Sequence, residues 1–326
     1  MADGMNASFV LYDDQFHGGF SETIMQQTNA FNAAAGGVLS LTTKSRLGDF
    51  AKESFLQELA TPVVRRDLTD NGAATSIPLS MDEFISVKLN RTNGPFVQTL
   101  DSFKKIGKSA SDQALSFLIG QQIAKANVQG MLNDCLTGLV AFISGQASNT
   151  HLVAANGPIS GGALNDGIAK FGDNFGSLVG FVMHSRAYFD LVGNQIDPTN
   201  HGDNIAGVVV QGGTPATFGR PVLVTDSPSL LDTGVYQTLA LVRGAAMAED
   251  SEETTMVAEM KTGDKQLKVL LQGEHAFNLG IKGAKWDTAA GGVNPTSAAL
   301  GTSTNWVKVL SDAKSLAGVV IQHEAA

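Results

Sequence analysis

Glu274-His275-Ala276-Phe277-Asn278-Leu279-Gly280-Ile281-Lys282-Gly283-Ala284-Lys285-Trp286-Asp287 opens the C-terminal part of the chain. It is followed by Gly291-Gly292-Val293-Asn294-Pro295-Thr296, then Asn305-Trp306-Val307-Lys308-Val309, then Lys314-Ser315-Leu316-Ala317-Gly318-Val319-Val320-Ile321. Short β-branched and aromatic runs alternate with turn marks of Gly and Asn-Pro, the pattern of strands joined by tight turns. No acid, base and nucleophile come together within it. Such a stretch suits bracing a fold or a neighbour better than chemistry.

Working back from it, residues 109–144 carry the clearest helical pattern. Ser109 with Asp112 three residues on is a capping-box-like start, Asp standing where Glu or Gln is usual. Leu115, Leu118, Ile119, Gln122, Ile123 and Ala126 keep helical spacing, as do Leu132, Leu136, Leu139, Val140 and Ile143. At ~1.5 Å per residue the helix would run ~50 Å. Gly120, Gly130 and Gly138 read as close-packing or kink points inside it. The buried face is expected to hold Leu115, Leu118, Ile119, Ile123, Leu136 and Ile143.

Residues 145–255 read as α/β. Helices are predicted at Ile159 to Lys170 and Ser185 to Val192. Strands are predicted at Leu178 to His184, Val208 to Val210, Val222 to Asp226 and Tyr236 to Val242, with Glu249, Asp250, Glu252 and Glu253 as an exposed acidic loop. Residues 256–326 return to strands. At the other end, residues 1–64 read as an arm. Asn6 to Gln27 shows no steady period, Val38 to Thr42 is strand-like, and Asp49 to Leu59 is predicted to be a short amphipathic helix on Phe50, Phe55 and Leu59. Residues 65–100 read as a long two-stranded excursion. Its clean alternation lies at Phe84 to Leu89, and Asp70-Asn71-Gly72 and Asn93-Gly94-Pro95 are turn signals. An isolated hairpin is marginal in water, so this excursion implies a partner.

Composition narrows the function. The chain has 326 residues, 43% hydrophobic and only 16% charged, against about a quarter charged in ordinary domains. Much of its surface is therefore expected to lie under other protein. The net charge of −9 argues against a nucleic-acid reader that depends on neutralising phosphates. One cysteine, Cys135, excludes an internal disulfide and a cysteine metal cluster, and its apolar helical setting makes it core. Met1-Ala2-Asp3-Gly4 lacks a basic segment with an apolar run behind it, so no signal peptide is expected. No window approaches ~18 uninterrupted apolar residues, so no membrane-spanning helix is expected.

Chemistry-bearing residues are scattered. The histidines at 17, 151, 184, 201, 275 and 323 form no HxH or HxxxH pair. His184 precedes Ser185, but no Gly-x-Ser-x-Gly elbow surrounds any serine. The Gly-rich stretches at 157–167 and 207–219 match neither phosphate-loop nor dinucleotide patterns. Asp226 ends a strand without an identifiable partner. No catalytic residue, metal ligand or cofactor site is expected. Two basic clusters, Arg65-Arg66 and Lys104-Lys105 with Lys108, flank the excursion. They suit acidic groups of a neighbouring molecule, packaged nucleic acid, or a plain solvated face. Arg65, Arg66, Phe84, Lys88, Lys104, Lys105, Glu252 and Glu253 are the candidates for contacts between subunits.

The order of parts, an extended arm, a long hairpin, a long helix, an α/β module and a returning β segment, resembles the major capsid proteins of tailed bacteriophages, of the Hong Kong 97-type fold. Local phrases share the likeness: Phe31-Asn32-Ala33-Ala34 with Gly48-Asp49-Phe50, Val87-Lys88-Leu89-Asn90, Gly180-Phe181-Val182-Met183-His184-Ser185, Gly219-Arg220-Pro221-Val222-Leu223-Val224-Thr225-Asp226, and the stretch from Trp286-Asp287 to Gly318. The resemblance implies an α+β fold with an N-terminal arm (1–64), an extended loop (65–100), a peripheral domain with its spine helix (101–150), an axial domain (151–255) and return strands largely of the peripheral domain (256–326). It also implies an icosahedral shell of hexamers and pentamers around double-stranded DNA, found in the virion and assembled in the host bacterial cytoplasm. The partners would be the chain itself, a portal, a decoration protein, and a separate scaffolding protein, because no long charged helical stretch precedes the arm. Contact with DNA would be weak and unspecific. Two other readings stand beside it: an encapsulin-like cellular compartment shell, and a soluble α/β enzyme or binding protein built on the Gly-rich loops.

Overall fold

The computed structural model describes residues 13–43, 48–57, 79–99, 112–153, 157–196 and 217–325, with residues 63, 69 and 72. The chain begins with α1 (Asp13–Ala34), β1 (Leu39–Thr43), β2 (Phe50–Leu56) and β3 (Met81–Thr99), followed by the long helix α2 (Asp112–Ser144). Then come β4 (Thr150–Leu152), α3 (Gly161–Ala169), β5 (Leu178–Met183), α4 (Ser185–Ile196), β6 (Val222–Val224), β7 (Leu231–Asp232) and β8 (Val235–Val242). The rest is β9 (Ala246–Lys261), β10 (Lys268–Ile281), β11 (Ala284–Trp286), α5 (Ser297–Leu300), β12 (Trp306–Lys308) and β13 (Gly318–His323).

Two sheets organise these elements. The first has the order β1-β9-β10-β3-β2, the second β4-β13-β8-β5-β6 with β7 on β8, and β11 pairs β12. β8 and β9 are consecutive, so the chain passes from one sheet to the other with only Arg243, Gly244 and Ala245 between. The main core fills the space beside both sheets. Leu136, Leu139, Phe142 and Ile143 of α2 meet Phe277, Leu279 and Ile281 of the first sheet and Leu239, Leu241, Val319 and Ile321 of the second. A smaller core lies around the first half of α2, where Ile123 and Ala124 pack with Phe16 and Phe20 of α1 and with Met256, Val269 and Leu271 of the first sheet.

The expected long helix is present from Asp112, and its glycines sort themselves. A Cβ on Gly120 would run into the Phe16 carbonyl oxygen, and one on Gly19 would come within 2.5 Å of the Phe117 carbonyl oxygen. The two helices touch backbone to backbone at this crossing. Gly138 is also a close-packing point, with Ile281 Cδ1 2.9 Å and Trp306 Cζ2 3.1 Å from where its Cβ would sit. Gly130 has nothing within 4 Å and is not one. On the predicted buried face, Ile123, Leu136 and Ile143 are buried and Ile119 is half-buried, but Leu118 is 48% exposed. At the α1 crossing the covered side of α2 carries Ile119, Ile123 and Ala124, and Leu118 falls outside it.

Other expectations change. Asn6 to Gln27 reads as aperiodic, yet α1 is helical from Asp13 onward, and Gly19 within it is where α1 meets α2. The predicted helix over Asp49 to Leu59 is the strand β2, paired antiparallel with β3 from Phe50↔Val87 to Leu56↔Met81. Phe50 and Phe55 fit either period. The stack of Phe55 on Phe84, 4.2 Å between centroids, belongs to the strand arrangement. The alternating run at Phe84 to Leu89 is a strand, but its cover comes from its own chain: β2 lies on one side, β10 on the other, and Val87 and Leu89 are fully buried. Asn93-Gly94-Pro95 lies inside β3 and does not end it. The part of the predicted excursion ahead of residue 79 falls largely outside the described residues, and the predicted strand at Val208 to Val210 lies outside them. Glu249 to Glu253 is not an exposed loop but part of β9, and Glu249 is buried. The last strand, β13, belongs to the second sheet, between β8 and β4, rather than to the return strands of the first.

The edge of β3 is partly closed by its own chain. The Lys88 N–H donates to the Asp49 carbonyl at 2.9 Å, and the Asn90 N–H donates to Asn294 Oδ1 at 2.9 Å.

Two contrasts test this packing in urea melts. Gly120→Ala is expected to destabilise by about 1–3 kcal/mol through overpacking at the helix crossing. Gly130→Ala is expected to stabilise by up to about 1 kcal/mol, since helix propensity acts there without steric opposition. Leu136→Ala is expected to lose about 2–5 kcal/mol, and Leu118→Ala no more than about 0.5 kcal/mol in the free subunit.

Candidate assembly surface

Among the described residues, several large apolar side chains lie open. On the first sheet they are Leu56 and Met81 at one end, Met247 in the middle, and Phe96, Val97 and Val257 toward the other end. On the second module they are Phe175, Phe189, Phe218 and Val224. The face of the first sheet turned away from α2 also carries a groove. Ala51, Ser86 and Gly280 make its low floor, and Phe84 and Met247 stand beside it. The groove encloses about 210 Å³. Its floor is low because Ala51 and Ser86, which meet in register, carry short side chains, and Gly280 beside Ser86 carries none.

Of the sequence-predicted contact residues, Arg65, Arg66, Lys104 and Lys105 lie outside the described residues. Phe84 is half-buried against Phe55 and lines the groove. Lys88 is buried in register with Asn278, which is in turn in register with Glu249, so the three form a polar row across β3, β10 and β9. Glu252 and Glu253 have their backbone in β9, and their side chains lie outside the described residues.

A polar clamp that the sequence did not reveal ties the first sheet to α2. Arg91 on β3 donates from Nε at 3.1 Å and from Nη2 at 2.9 Å to Asp134 Oδ2. Ser297 donates to the other carboxylate oxygen at 3.3 Å. Arg91 and Asp134 are separated by 43 residues, and neither side chain stands out from its neighbours in sequence. A second tie joins Lys285 on β11 to Asp82 on β3 at 2.9 Å. The Lys285 hydrogen bond, helped by the Glu83 N–H, holds the Asp82 carboxyl below its ordinary range.

The residues weighed for chemistry do not form a catalytic relay. His184 Nε2 stands 3.7 Å from Asp226, and its Nδ1 accepts the Arg186 N–H at 3.1 Å. The Ser185 hydroxyl bonds to Asp226, and this bond leads the causes that hold that carboxyl low, with the His184 charge and the Ser185 N–H adding to it. The carboxylate therefore stands between serine and histidine, where a nucleophilic triad needs the histidine in the middle. The His323 Nδ1 faces the Glu324 carbonyl at 3.0 Å, so Nδ1 carries the proton and Nε2 accepts from the Thr238 hydroxyl at 3.0 Å. Burial keeps this histidine neutral by pushing its pKa down. Cys135 is buried, and burial with the Asp134 charge pushes its thiol up to about 12, so it is the expected core residue. Among the described residues no cluster of three His, Cys, Asp or Glu could hold a metal ion. No described helix is long and apolar enough to cross a membrane.

Comparison with known proteins places these features. A family model described as Gp13-like, major capsid protein 13-like, matches residues 8–320. A search of the curated proteins finds no match. Among solved structures, a chain of Mycobacterium phage Cain superposes with a TM-score of 0.54 at 12% identity, over 84% of this chain and 89% of that one. A chain of the cyanophage Pam1 capsid asymmetric unit gives 0.51 at 11% identity, over 88% of each chain. The capsid of a native GTA particle gives 0.51 at 12% identity, over 90% of this chain and 91% of that one. At such identities the likeness is one of fold.

The Arg91–Asp134 clamp makes a direct prediction. Arg91→Ala leaves a largely buried carboxylate without its cation and is expected to cost about 3 kcal/mol in urea unfolding. Arg91→Lys keeps the charge but loses the two-nitrogen grip, and is expected to cost less.

Proposed function

The chain belongs to the Gp13-like family of major capsid proteins, and on that premise we propose how its parts divide the work of a shell. It is a structural protein of the phage virion, and it assembles with copies of itself. The five-stranded sheet with α1 and α2 acts as the peripheral domain. The second sheet with α3 and α4 acts as the axial domain around which copies gather. The segment between β2 and β3 is the extended loop. The strands that flank it, β2 and β3, are the outer pair on one side of the first sheet.

The observation that carries this division is the distribution of uncovered apolar side chains. They occur at both ends of the first sheet and on the second module, among them Met81 at 79%, Phe189 at 67% and Val257 at 67% exposed. A lone monomer gains nothing from such residues, whereas repeated copies cover one another's, and many weak contacts in a closed shell reinforce each other. Phe84, with the groove beside it, and the basic pairs Arg65-Arg66 and Lys104-Lys105 are the contact residues we favour. Acidic side chains of the next copy, Glu252 and Glu253 among them, are their counterparts. Lys88 is buried in its own sheet and serves there.

A separate scaffolding protein, a portal and a decoration protein complete the partners. Packaged double-stranded DNA touches isolated Lys and Arg on the inner face, weakly and without sequence preference, as the net charge of −9 favours. No catalytic role is assigned: among the described residues, the Ser185, His184 and Asp226 group has the wrong order for a relay.

Negative-stain imaging of the purified protein, alone and with the scaffolding protein, is expected to show closed shells. Persistent monomers in both preparations would count against self-assembly. Phe189→Asp and Met81→Asp are expected to leave the free subunit's melting unchanged within about 0.5 kcal/mol, while sharply reducing the yield of shells.

A further inference from the structure

The first sheet changes its register at one level across three strands. Between β10 and β3 the pairing jumps from Leu271↔Phe96 to Gly273↔Asn93. Between β10 and β9 it jumps from Glu274↔Thr255 to Ala276↔Glu252 and again to Phe277↔Asp250. Both flanking strands thus carry extra residues where β10 passes from Leu271 to Phe277. The two cores divide at the same level. Leu271 packs into the smaller core with α1, and Phe277 packs into the main one. The ladder is interrupted here and no side chain between Leu271 and Phe277 belongs to either apolar cluster, the two features that favour a displacement of one half against the other along this line.

A buried histidine sits on the line. His275 lies between Leu271 and Phe277 on β10 and is 7% exposed. Its cross-strand partner is Arg91, whose guanidinium is held by Asp134. Its Nδ1 is 3.4 Å from Asn93 Nδ2, and its ring stacks against Phe277 at 6.4 Å. The charged groups around it can be named by element. β3 presents Arg91. α2 presents Asp134, already bound to Arg91 and Ser297. The β9 residues at this level are Glu252 to Thr255; Thr255 is uncharged, and the side chains of 252–254 lie outside the described residues. Glu274, next on β10, is exposed. A second positive charge here would face Arg91 across the strand pair and repel it.

We propose that this seam is a charge-sensitive hinge: a proton on His275 loosens Arg91 from Asp134 and lets the far half of the β9–β10–β3 ribbon move, with α1, as a unit against the rest of the subunit. In the closed arrangement burial, and then the Arg91 charge, push the His275 pKa from 6.5 down to about 4. The sign follows from that depression. The closed state binds fewer protons than the open one, so its advantage is complete above about pH 6.5 and is lost as the pH falls toward about 4. At pH 5 the opening constant should be about 30-fold larger than at pH 8.

Hydrogen exchange of the full chain, read by mass spectrometry and corrected for the intrinsic rate at each pH, tests this. Segments holding Phe16 to Ile24, Met256 and Val269 to Leu271 are expected to lose about 30-fold in protection between pH 8 and pH 5. Segments of the main core, such as Leu136 to Ile143, are expected to hold. In His275→Gln the distal segments should show no such dependence, and in His275→Lys they should be open already at pH 8. A loss spread evenly over both cores, a flat wild-type response, or the same response in His275→Gln overturns the proposal. Should either variant fail to fold, the segment pattern of the wild type alone decides it. Effects of His323 fall on β8 and β13 and are read there.

Discussion

One helix has to satisfy two different surroundings, and the rest of the subunit follows from that. The C-terminal half of α2 is enclosed by both sheets, and its Leu136, Leu139 and Phe142 are fully buried. Among the described residues, its N-terminal half has α1 and the far part of the first sheet beside it. A helix enclosed at one end and half-covered at the other fixes where the sheets meet, and it leaves the opposite end with one companion helix. That companion is held by backbone contact at Gly19 and Gly120, where any side chain would force the helices apart. The long span that makes α2 a rigid axis also separates the two cores and leaves a polar stretch, with Arg91, Asp134 and His275, between them.

Much of this frame was legible in the sequence. The α2 period, the strand runs at Leu178 and Val222, and the Gly- and Asn-Pro-marked strands of the C-terminal part all rest on short-range patterns, which a single sequence carries. What was not legible depends on residues far apart. Phe50 and Phe55 are compatible with helix or strand, and only β3 alongside decides between them. The use of Gly19 is hidden until the partner helix is beside it. The acidic run in β9 reads as a loop because the pairing that makes it a strand comes from β10. The clamp of Arg91 on Asp134 is invisible for the same reason: either residue alone is an ordinary surface charge. Of the residues proposed for contacts, Phe84 was singled out from its alternation, whereas Met81, Phe189 and Val257 stand out only once burial is known.

The functional reading rests on what the subunit leaves uncovered. Most soluble monomers scatter their exposed apolar residues singly. Here they gather at the ends of a long sheet and on a second module, as a chain that is one tile among many requires. The same geometry explains the low charge content. Surface destined to lie under neighbours cannot carry many charges without desolvation cost.

The two hydrogen bonds on the rim of β3 have a consequence for the crowded cell before any shell exists. A newly made subunit carries long strands, and unprotected strand edges invite indiscriminate pairing into fibrous aggregates. Asn294, held in a left-handed backbone conformation at φ 48, presents its side-chain oxygen to the Asn90 N–H and so denies that donor to a foreign strand. Asp49 does the same with its carbonyl one step earlier. These two residues act as proofreaders of association. They leave side-chain surfaces, which recognise a particular neighbour, as the favoured means of joining, and they withhold the backbone, which would join with almost anything.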